Sequence, residues 1–255
     1  MKKILTTAIL CAGLVGFTAC DSFLDEDPKS SLTLDTYYKT SADIIGNVNY
    51  LYRDGAPDKM GNMTGAYRGS SLSVMNMVTG YFVNEYEGQE VDCSYARQLT
   101  RQNFTQSCCN YLTNDTWKSC YKSINVANAV IKYVDGVEMD NQAQYKAEAR
   151  FFRALNYFYL VKMFGDVPMV IEPTEDATLV EYPTRTAASE VFNTVIIPDL
   201  QFAVENLPNA TFAGNSHRVT KYAADMLLAD VYMRLGEYAN AVTPLKDVIN
   251  SGKFA

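Results

Sequence analysis

Apolar residues recur every three or four positions over most of this chain, which is the period of an amphipathic helix. Between these segments the pattern breaks at glycine, at proline and at clusters of small polar residues. The periodicity therefore predicts an all-α fold, with helices over 35–53, 114–135, 142–164, 188–206, 220–235 and 238–250.

The strongest helical pattern runs from Gln142 to Phe164. Its apolar stripe is wide, which indicates burial on more than one side. The turn chemistry of Gly165–Pro168 is expected to end this helix. The positions that form the stripe are Ala147, Phe151, Leu155 and Phe158, with Phe152, Tyr159 and Met163 beside them.

Two stretches lack a helical period. Residues 54–80 are rich in glycine, which predicts a long loop or broken helices. Residues 81–110 mix aromatic, acidic and amide side chains, which is typical of an irregular binding loop.

Residues 170–187 are predicted to be extended, and Pro198 is expected to bend or restart the helix that contains it.

The last two predicted helices carry a repeat signature. Ala229, Tyr232, Gly236, Tyr238 and Ala241 have the spacing of a tetratricopeptide repeat, which is a helix–turn–helix unit. Glycine permits the tight turn, alanine permits close helix approach, and the two tyrosines are expected to fill the groove between the helices. The predicted fold is an all-α, tetratricopeptide-like helical solenoid with long irregular loops.

The N-terminus has the features of a secretory signal. Lys2 and Lys3 precede an apolar run, Ile4–Phe17, which is shorter than the ~20 residues of a membrane-spanning helix. Small residues then precede Cys20, in an arrangement that resembles a bacterial lipobox. This predicts a signal peptide over 1–19 and acylation of Cys20. An ordinary secretory signal with a coincidental cysteine is the alternative.

The acidic run Asp25-Glu26-Asp27 lies in a polar tether predicted over 20–34. It resembles the signal that sends Bacteroidetes lipoproteins to the outer face of the outer membrane. The alternative is a solvated tether without an addressing role. A chain acylated at Cys20 would be held at the membrane by its lipid, because two or more acyl chains anchor stably.

The net charge and the placement of the cysteines argue against two classes of function, nucleic-acid binding and zinc or other cofactor chemistry. The net charge of −7 argues against nucleic acid as a partner. Cys93, Cys108, Cys109 and Cys120 form no C-x-x-C pair, and His217 is the only histidine, so no zinc site or other cofactor is predicted. These cysteines are expected to be buried or half-buried thiols, with one disulfide possible.

Residues 147–168, AEARFFRALNYFYLVKMFGDVP, resemble the signature of the SusD/RagB family. Other parts of the chain agree with that resemblance in their order. They are Phe23-Leu24-Asp25, the helical positions Trp117, Tyr121, Ile124 and Asn128, the segment Pro183-Thr184-Arg185, and Arg218–Lys221.

The resemblance implies a surface lipoprotein of the outer membrane that captures glycan or other nutrient fragments and is not an enzyme. It implies a SusC-type TonB-dependent transporter as the partner and an oligosaccharide or other nutrient as the ligand. Family members are typically longer. Residues 35–255 are therefore expected to be a SusD-like helical domain that is incomplete at its C-terminus.

Candidate ligand-binding residues lie in the irregular segment. Flat aromatic faces suit pyranose rings, and amide or guanidinium groups suit sugar hydroxyls. The alternative is that these aromatic rings pack on the helices beneath them. Trp117 is expected to be a core residue because of its helical register. The candidates are Tyr81, Phe82, Asn84, Tyr86, Tyr95, Arg97 and Asn103.

Two other functions stay open at the level of sequence. The acidic cluster of Glu85, Glu87, Glu90 and Asp92 could supply a glycosidase with its carboxylate pair, or could be a solvated loop. The chain could also be a helical scaffold that binds only protein partners.

Overall fold

A computed structural model describes residues 34–54, 76–83, 97–175 and 183–254. The chain divides into two compact units, Met1–Tyr37 and Tyr38–Ala255. The described residues of the first unit form the single-turn helix α1, Leu34–Tyr37. The remaining elements belong to the second unit.

The second unit is built from helices, and the all-α prediction is confirmed for the described ranges. In chain order they are α2 (Ser41–Asp54), α3 (Gln106–Tyr133), α4 (Gln142–Phe164), α5 (Ala188–Val191), α6 (Ile197–Asn206), α7 (Lys221–Arg234) and α8 (Tyr238–Asn250). Short 3₁₀ turns occupy Val134–Gly136 and Ala213–Asn215, and a π-helical turn occupies Phe192–Ile196. Within the described ranges, extended pairing is limited to one isolated antiparallel bridge between Val167 and Thr186.

Helix α4 lies at the centre of the packing, against α2, α3 and α6, and α7 packs on α6 and α8. The bounds of α4 match the prediction, and the predicted burial of this helix on more than one side is confirmed. Phe152, Tyr157 and Phe158 are almost fully buried, whereas Leu155 and Met163 are half-buried. The helix ends at Gly165, whose φ of 68° suits a residue without a Cβ.

Two helix starts differ from the prediction. Helix α3 begins at Gln106, well before Asn114, because the Thr105 side chain accepts a hydrogen bond from the Cys108 amide (3.2 Å). Near the N-terminus, residues 38–40 interrupt the single helix predicted over 35–53. There Thr40 and Asp43 form a reciprocal cap: the Thr40 amide donates to Asp43 Oδ2 (2.8 Å) and starts α2.

The expected interruption at Pro198 is confirmed. Proline lacks the backbone N–H that a helix interior requires. The chain passes through the π-helical turn Phe192–Ile196 just before it, and Pro198 then lies in the first turn of α6.

Helices α7 and α8 form the predicted hairpin. Gly236 has a φ of 75° in the turn, and Ala229 and Ala241 are buried where the helices meet. Tyr232 is buried as expected, but the prediction for Tyr238 is wrong because its side chain is 68% exposed. It begins α8 on the side that faces solvent, while Ala241 and Pro244 form the buried face of that helix.

A buried polar network joins α3, α4 and α6. The Arg153 guanidinium donates two hydrogen bonds to the carboxylate of Asp199, at 2.7 and 2.9 Å, and one to Asn128 Oδ1 at 2.9 Å. Burial raises the pKa of Asp199, and the hydrogen bonds and charge of Arg153 oppose that change. The network places a fully paired ion pair inside the helical core.

The same side chains hold the extended segment that follows α4. Asn128 Nδ2 donates to the carbonyl of Val170 (2.9 Å) and to that of Glu172 (3.2 Å). The Tyr157 hydroxyl accepts from the Val170 amide and donates to its carbonyl, and the Tyr121 hydroxyl donates to the Pro168 carbonyl. Backbone groups that would otherwise lack partners are thus satisfied by helix side chains.

A second network joins α2, α4 and the residues before α7. Glu148 is fully buried and accepts hydrogen bonds from Arg218 Nε and Nη2 and from the Tyr52 hydroxyl. The Tyr52 hydroxyl in turn accepts from the Val219 amide at 2.8 Å. Burial, followed by the charge of Glu148, raises the pKa of Tyr52, so the phenol stays neutral and keeps its proton.

The structure describes the side chains of two of the four cysteines. Cys108 and Cys120 are fully buried, as predicted. Burial raises the pKa of the Cys120 thiol to about 12, which makes it a poor nucleophile. Cys93 and the side chain of Cys109 lie outside the described residues.

We expect Asp199→Ala to lower the free energy of unfolding by about 3–5 kcal/mol, because it leaves the buried Arg153 charge unpaired. Urea unfolding followed by circular dichroism measures the change. Asp230→Ala, at an exposed position of α7, is the matched control and should change it by less than ~0.5 kcal/mol. The double variant Arg153→Met/Asp199→Leu should be less destabilised than Asp199→Ala alone. If Asp199→Ala lowered the free energy of unfolding no more than Asp230→Ala does, the stabilising role of the Arg153–Asp199 pair would be contradicted.

We expect Tyr157→Phe to accelerate hydrogen exchange at the Val170 amide, because the variant lacks the hydroxyl that accepts from this amide. Burial raises the pKa of Tyr157 to about 12, so the hydroxyl is protonated at neutral pH and can both donate and accept. Exchange monitored by mass spectrometry reports the effect on the peptide that spans Val170. Tyr238→Phe, which removes the hydroxyl of an exposed tyrosine, serves as the control and should leave the exchange rate of that peptide unchanged.

Candidate functional site

Three consecutive apolar side chains are exposed at the end of the described segment 76–83. Tyr81 is 90% exposed, Phe82 54% and Val83 57%. Large apolar side chains that lie together on the surface are uncommon unless they contact a ligand or partner. Tyr81 and Phe82 belong to the predicted ligand-binding set, whereas Val83 does not.

A small hydrophobic cluster holds the turn that precedes these residues. Met77 and Val78 pack against the buried side chains of Leu99 and Cys108. Gly80 takes a φ of 79°, and the Tyr81 amide donates to Thr79 Oγ1 at 3.2 Å. The turn is thereby fastened to the N-terminal end of α3, and the chain leaves it toward solvent.

The residues just before α3 are also held by hydrogen bonds. The Asn103 amide donates to the Gln98 carbonyl at 2.9 Å, and Gln102 takes a φ of 52°. Thr105, which caps α3, also donates its hydroxyl to Gln98 Oε1 at 2.9 Å. These bonds fix the backbone at Asn103 and Phe104, both of which have exposed side chains.

The structure describes four residues of the predicted set. Tyr81 and Phe82 follow the turn that packs on Leu99, Arg97 is half-buried in the adjoining turn, and Asn103 is exposed beside α3. Asn84, Tyr86 and Tyr95 lie outside the described residues, as does the acidic cluster Glu85, Glu87, Glu90 and Asp92.

The sequence pattern did not identify Phe104 as a surface residue, although its side chain is 51% exposed. No local pattern signals this exposure. Once Thr105 is recognised as the first residue of a helix start, Phe104 lies outside the helix, at the position where an apolar residue normally packs back onto the first turns. Its exposure instead adds an aromatic ring to the surface just before α3.

Trp117 and His217 have other surroundings. Trp117 is half-buried, and its ring contacts Tyr121, Phe164 and the Arg185 guanidinium. It therefore packs at the junction of α3 and α4, as its helical register predicted, although it is less buried than expected. His217 is exposed in a left-handed turn, and its ring edge contacts Phe212.

The described ranges contain no cluster of three or more histidine, cysteine, aspartate or glutamate side chains able to hold a metal ion. Nor does any helix within them combine the length and apolar character needed to span a membrane. The exposed rings of Tyr81 and Phe82 can contact a ligand through their faces. The exposed Asn103 amide and the half-buried Arg97 guanidinium can contact one through hydrogen bonds.

The model of the SusD-like family described as "Starch-binding associating with outer membrane" matches residues 22–233. SusD-like protein P2 of Formosa agariphila is 29% identical over 254 residues, which cover 98% of this chain and 47% of that protein. This chain thus spans less than half the length of that relative.

Solved structures have the same fold. A SusD-like carbohydrate-binding protein of Bacteroides fragilis has a TM-score of 0.70 at 22% identity, with 86% of this chain and 42% of that one covered. Surface glycan-binding protein A of Bacteroides fluxus has a TM-score of 0.69 at 24% identity, with coverage of 85% and 45%. The predicted tetratricopeptide-like helical fold is confirmed by these likenesses.

We expect the double variant Tyr81→Ala/Phe82→Ala to change the free energy of unfolding by less than ~0.5 kcal/mol, because exposed rings contribute little packing. Phe158→Ala, at a buried position of α4, should cost about 3–5 kcal/mol in the same urea titration. A loss above 2 kcal/mol in the double variant, on the scale typical of buried side chains, would show that these rings pack against the fold instead.

Proposed function

The chain belongs to the SusD-like family, and we propose that it is a surface-exposed outer-membrane lipoprotein that binds glycan fragments without cleaving them. In this proposal it passes them to a SusC-type TonB-dependent transporter. Because the chain spans less than half of the relative described above, its ligand and partner are inferred from its own residues and from the family.

The observation that carries the proposal is the exposed aromatic segment Tyr81-Phe82-Val83 on a fixed turn. A pyranose ring has an apolar face that stacks on an aromatic ring, and its hydroxyls bond to amides and charged groups. Asn103 and Arg97 supply such groups in the adjoining segment. A site fixed before binding loses less conformational entropy when it takes a ligand, which favours affinity.

The relatives support glycans as the ligand class. One structural neighbour is named a carbohydrate-binding protein and another a surface glycan-binding protein. The family description names starch. We therefore propose neutral oligosaccharides, with α-glucans as the first class to examine.

We further propose that residues 1–19 are a signal peptide, that Cys20 is acylated, and that 20–34 tethers the SusD-like domain 35–255 to the outer membrane. The family description associates its members with that membrane. The basic start, the short apolar run and Cys20 support a lipid anchor. The acidic run Asp25-Glu26-Asp27 supports an orientation toward the cell exterior.

Cys20→Ser should abolish incorporation of radiolabelled palmitate and release the protein from the membrane fraction, because the acyl chains would have no attachment point. Expression in a Bacteroidetes host, followed by fractionation, measures both effects. Cys120→Ser, which alters a buried thiol, is the control and should still incorporate label. Label that persists in Cys20→Ser would contradict the assignment.

Glycan binding is tested by titration calorimetry with maltoheptaose and with laminarin oligosaccharides. We expect Tyr81→Ala/Phe82→Ala to weaken binding by about tenfold or more, since removing a stacked ring costs on the order of 1.5 kcal/mol. Tyr238→Ala, which removes an exposed tyrosine from α8, should bind like the unaltered chain. Equal affinity in the double variant would overturn this site.

Chromatography of the sugars after prolonged incubation distinguishes binding from hydrolysis. Intact oligosaccharides are expected. Shortened products that disappear in Glu85→Gln or Glu87→Gln would favour the hydrolase alternative.

A further inference from the structure

A concave surface whose lining does not include the aromatic segment lies between the start of α2 and the start of α4. It is open to solvent and has a volume of about 650 Å³, which is within the range of small-molecule sites. Ser41 and Ile45 form one wall, Glu138–Asn141 form the rim, and Tyr145 lies on the other wall. We name this surface the α2–α4 groove.

Both walls of the groove are fixed by hydrogen bonds. The reciprocal cap of Thr40 and Asp43 holds the first turn of α2, next to Ser41. On the opposite side, Gln142 Nε2 donates to the carbonyls of Val134 (2.7 Å) and Val137 (3.0 Å), which fastens the connection from α3. The groove is therefore formed before any ligand enters.

The Tyr145 ring is supported from within the protein. The Arg218 guanidinium lies 5.3 Å from the ring centroid, and Glu148 holds that guanidinium in place. A tyrosine fixed in this way offers a rigid, partly apolar surface at a low cost in side-chain entropy. Met139 and Ile45 add apolar area beside it.

The rim carries polar groups with unused bonding capacity. Asn141 adopts a left-handed φ of 57°, and its side chain makes no capping bond to α4. Within the described ranges, Glu138 and Asp140 form no ion pair. One exposed amide and two exposed carboxylates thus line the rim.

We propose that the α2–α4 groove is a second binding site for a neutral saccharide. A tyrosine face with neighbouring apolar atoms suits a sugar ring, and the carboxylates and amide can accept hydrogen bonds from its hydroxyls. The two carboxylates repel anionic sugars, so uronate-rich glycans are excluded. A metal ion is a poor fit, because the groove offers too few ligating side chains close together.

Oxidation of Met139 by dilute peroxide tests the proposal locally, because this methionine lines the groove. Saturating maltoheptaose or laminariheptaose should slow its oxidation by roughly threefold to tenfold, since bound ligands bury most of their contact surface. Met226 and Met233 are exposed on α7 and act as internal controls that should oxidise at an unchanged rate. Peptide mass spectrometry measures all of these residues in one sample.

Asp140→Ala/Asn141→Gly should abolish the protection of Met139 while the melting temperature stays unchanged, because glycine tolerates the left-handed backbone at 141. Polygalacturonate should give no protection. Unchanged Met139 oxidation with both neutral sugars, equal slowing of Met226 and Met233, or protection by polygalacturonate would each overturn the proposal.

The variant Tyr81→Ala/Phe82→Ala separates this site from the proposed function. Met139 protection should persist in it, because the groove does not include those rings. If the double variant loses calorimetric binding while Met139 is never protected, the groove proposal fails and the aromatic site stands. If Met139 is protected but the double variant binds like the unaltered chain, the aromatic site fails and the groove stands.

Discussion

The arrangement of the helical core depends on the buried guanidinium of Arg153. Its two bonds to Asp199 connect α4 to α6, and its third bond fixes the carbonyl end of the Asn128 amide. That bond also determines where the amide end of Asn128 points, which is toward the carbonyls of Val170 and Glu172. One buried cation therefore orients three helices and the extended segment after α4. Such networks are costly to desolvate, so they are stable only when every member is paired.

The Glu148 network has a comparable role nearer the N-terminal end of α4. Arg218 and Tyr52 reach the same buried carboxylate from different parts of the chain, so α2 and the residues before α7 are fixed against α4 together. The Arg218 guanidinium also lies over the Tyr145 ring. The shape of the α2–α4 groove is thus linked to a charge pair within the core. A change at Glu148 would alter the groove without contacting any ligand there.

The sequence pattern predicted the helices whose ends are marked by residues with a strong local preference. The bounds of α4 and α8 follow from apolar periodicity together with Gly165 and Gly236, which adopt positive φ at the turns. The start of α3 depends on a single hydroxyl, that of Thr105, and the pattern gave no indication of it. The Arg153–Asp199 pair joins residues 46 positions apart, and such a contact has no local signal. The sequence identified the aromatic character of Tyr81 and Phe82 but not the exposure of Phe104, because a residue just before a helix cap normally packs back onto the first turns.

Under the proposed function, the division between buried networks and exposed rings determines how this fold can change its ligand. Arg153, Asp199 and Glu148 are fully committed to the core, so substitutions there act on folding first. Tyr81, Phe82 and Phe104 are exposed, and their replacement alters contacts with a ligand at little cost in stability. If these rings contact sugars as proposed, selection on them can shift sugar preference while the helical frame stays the same. A frame of this kind supports many different ligands, because the residues that recognise the ligand and those that stabilise the fold are separate sets.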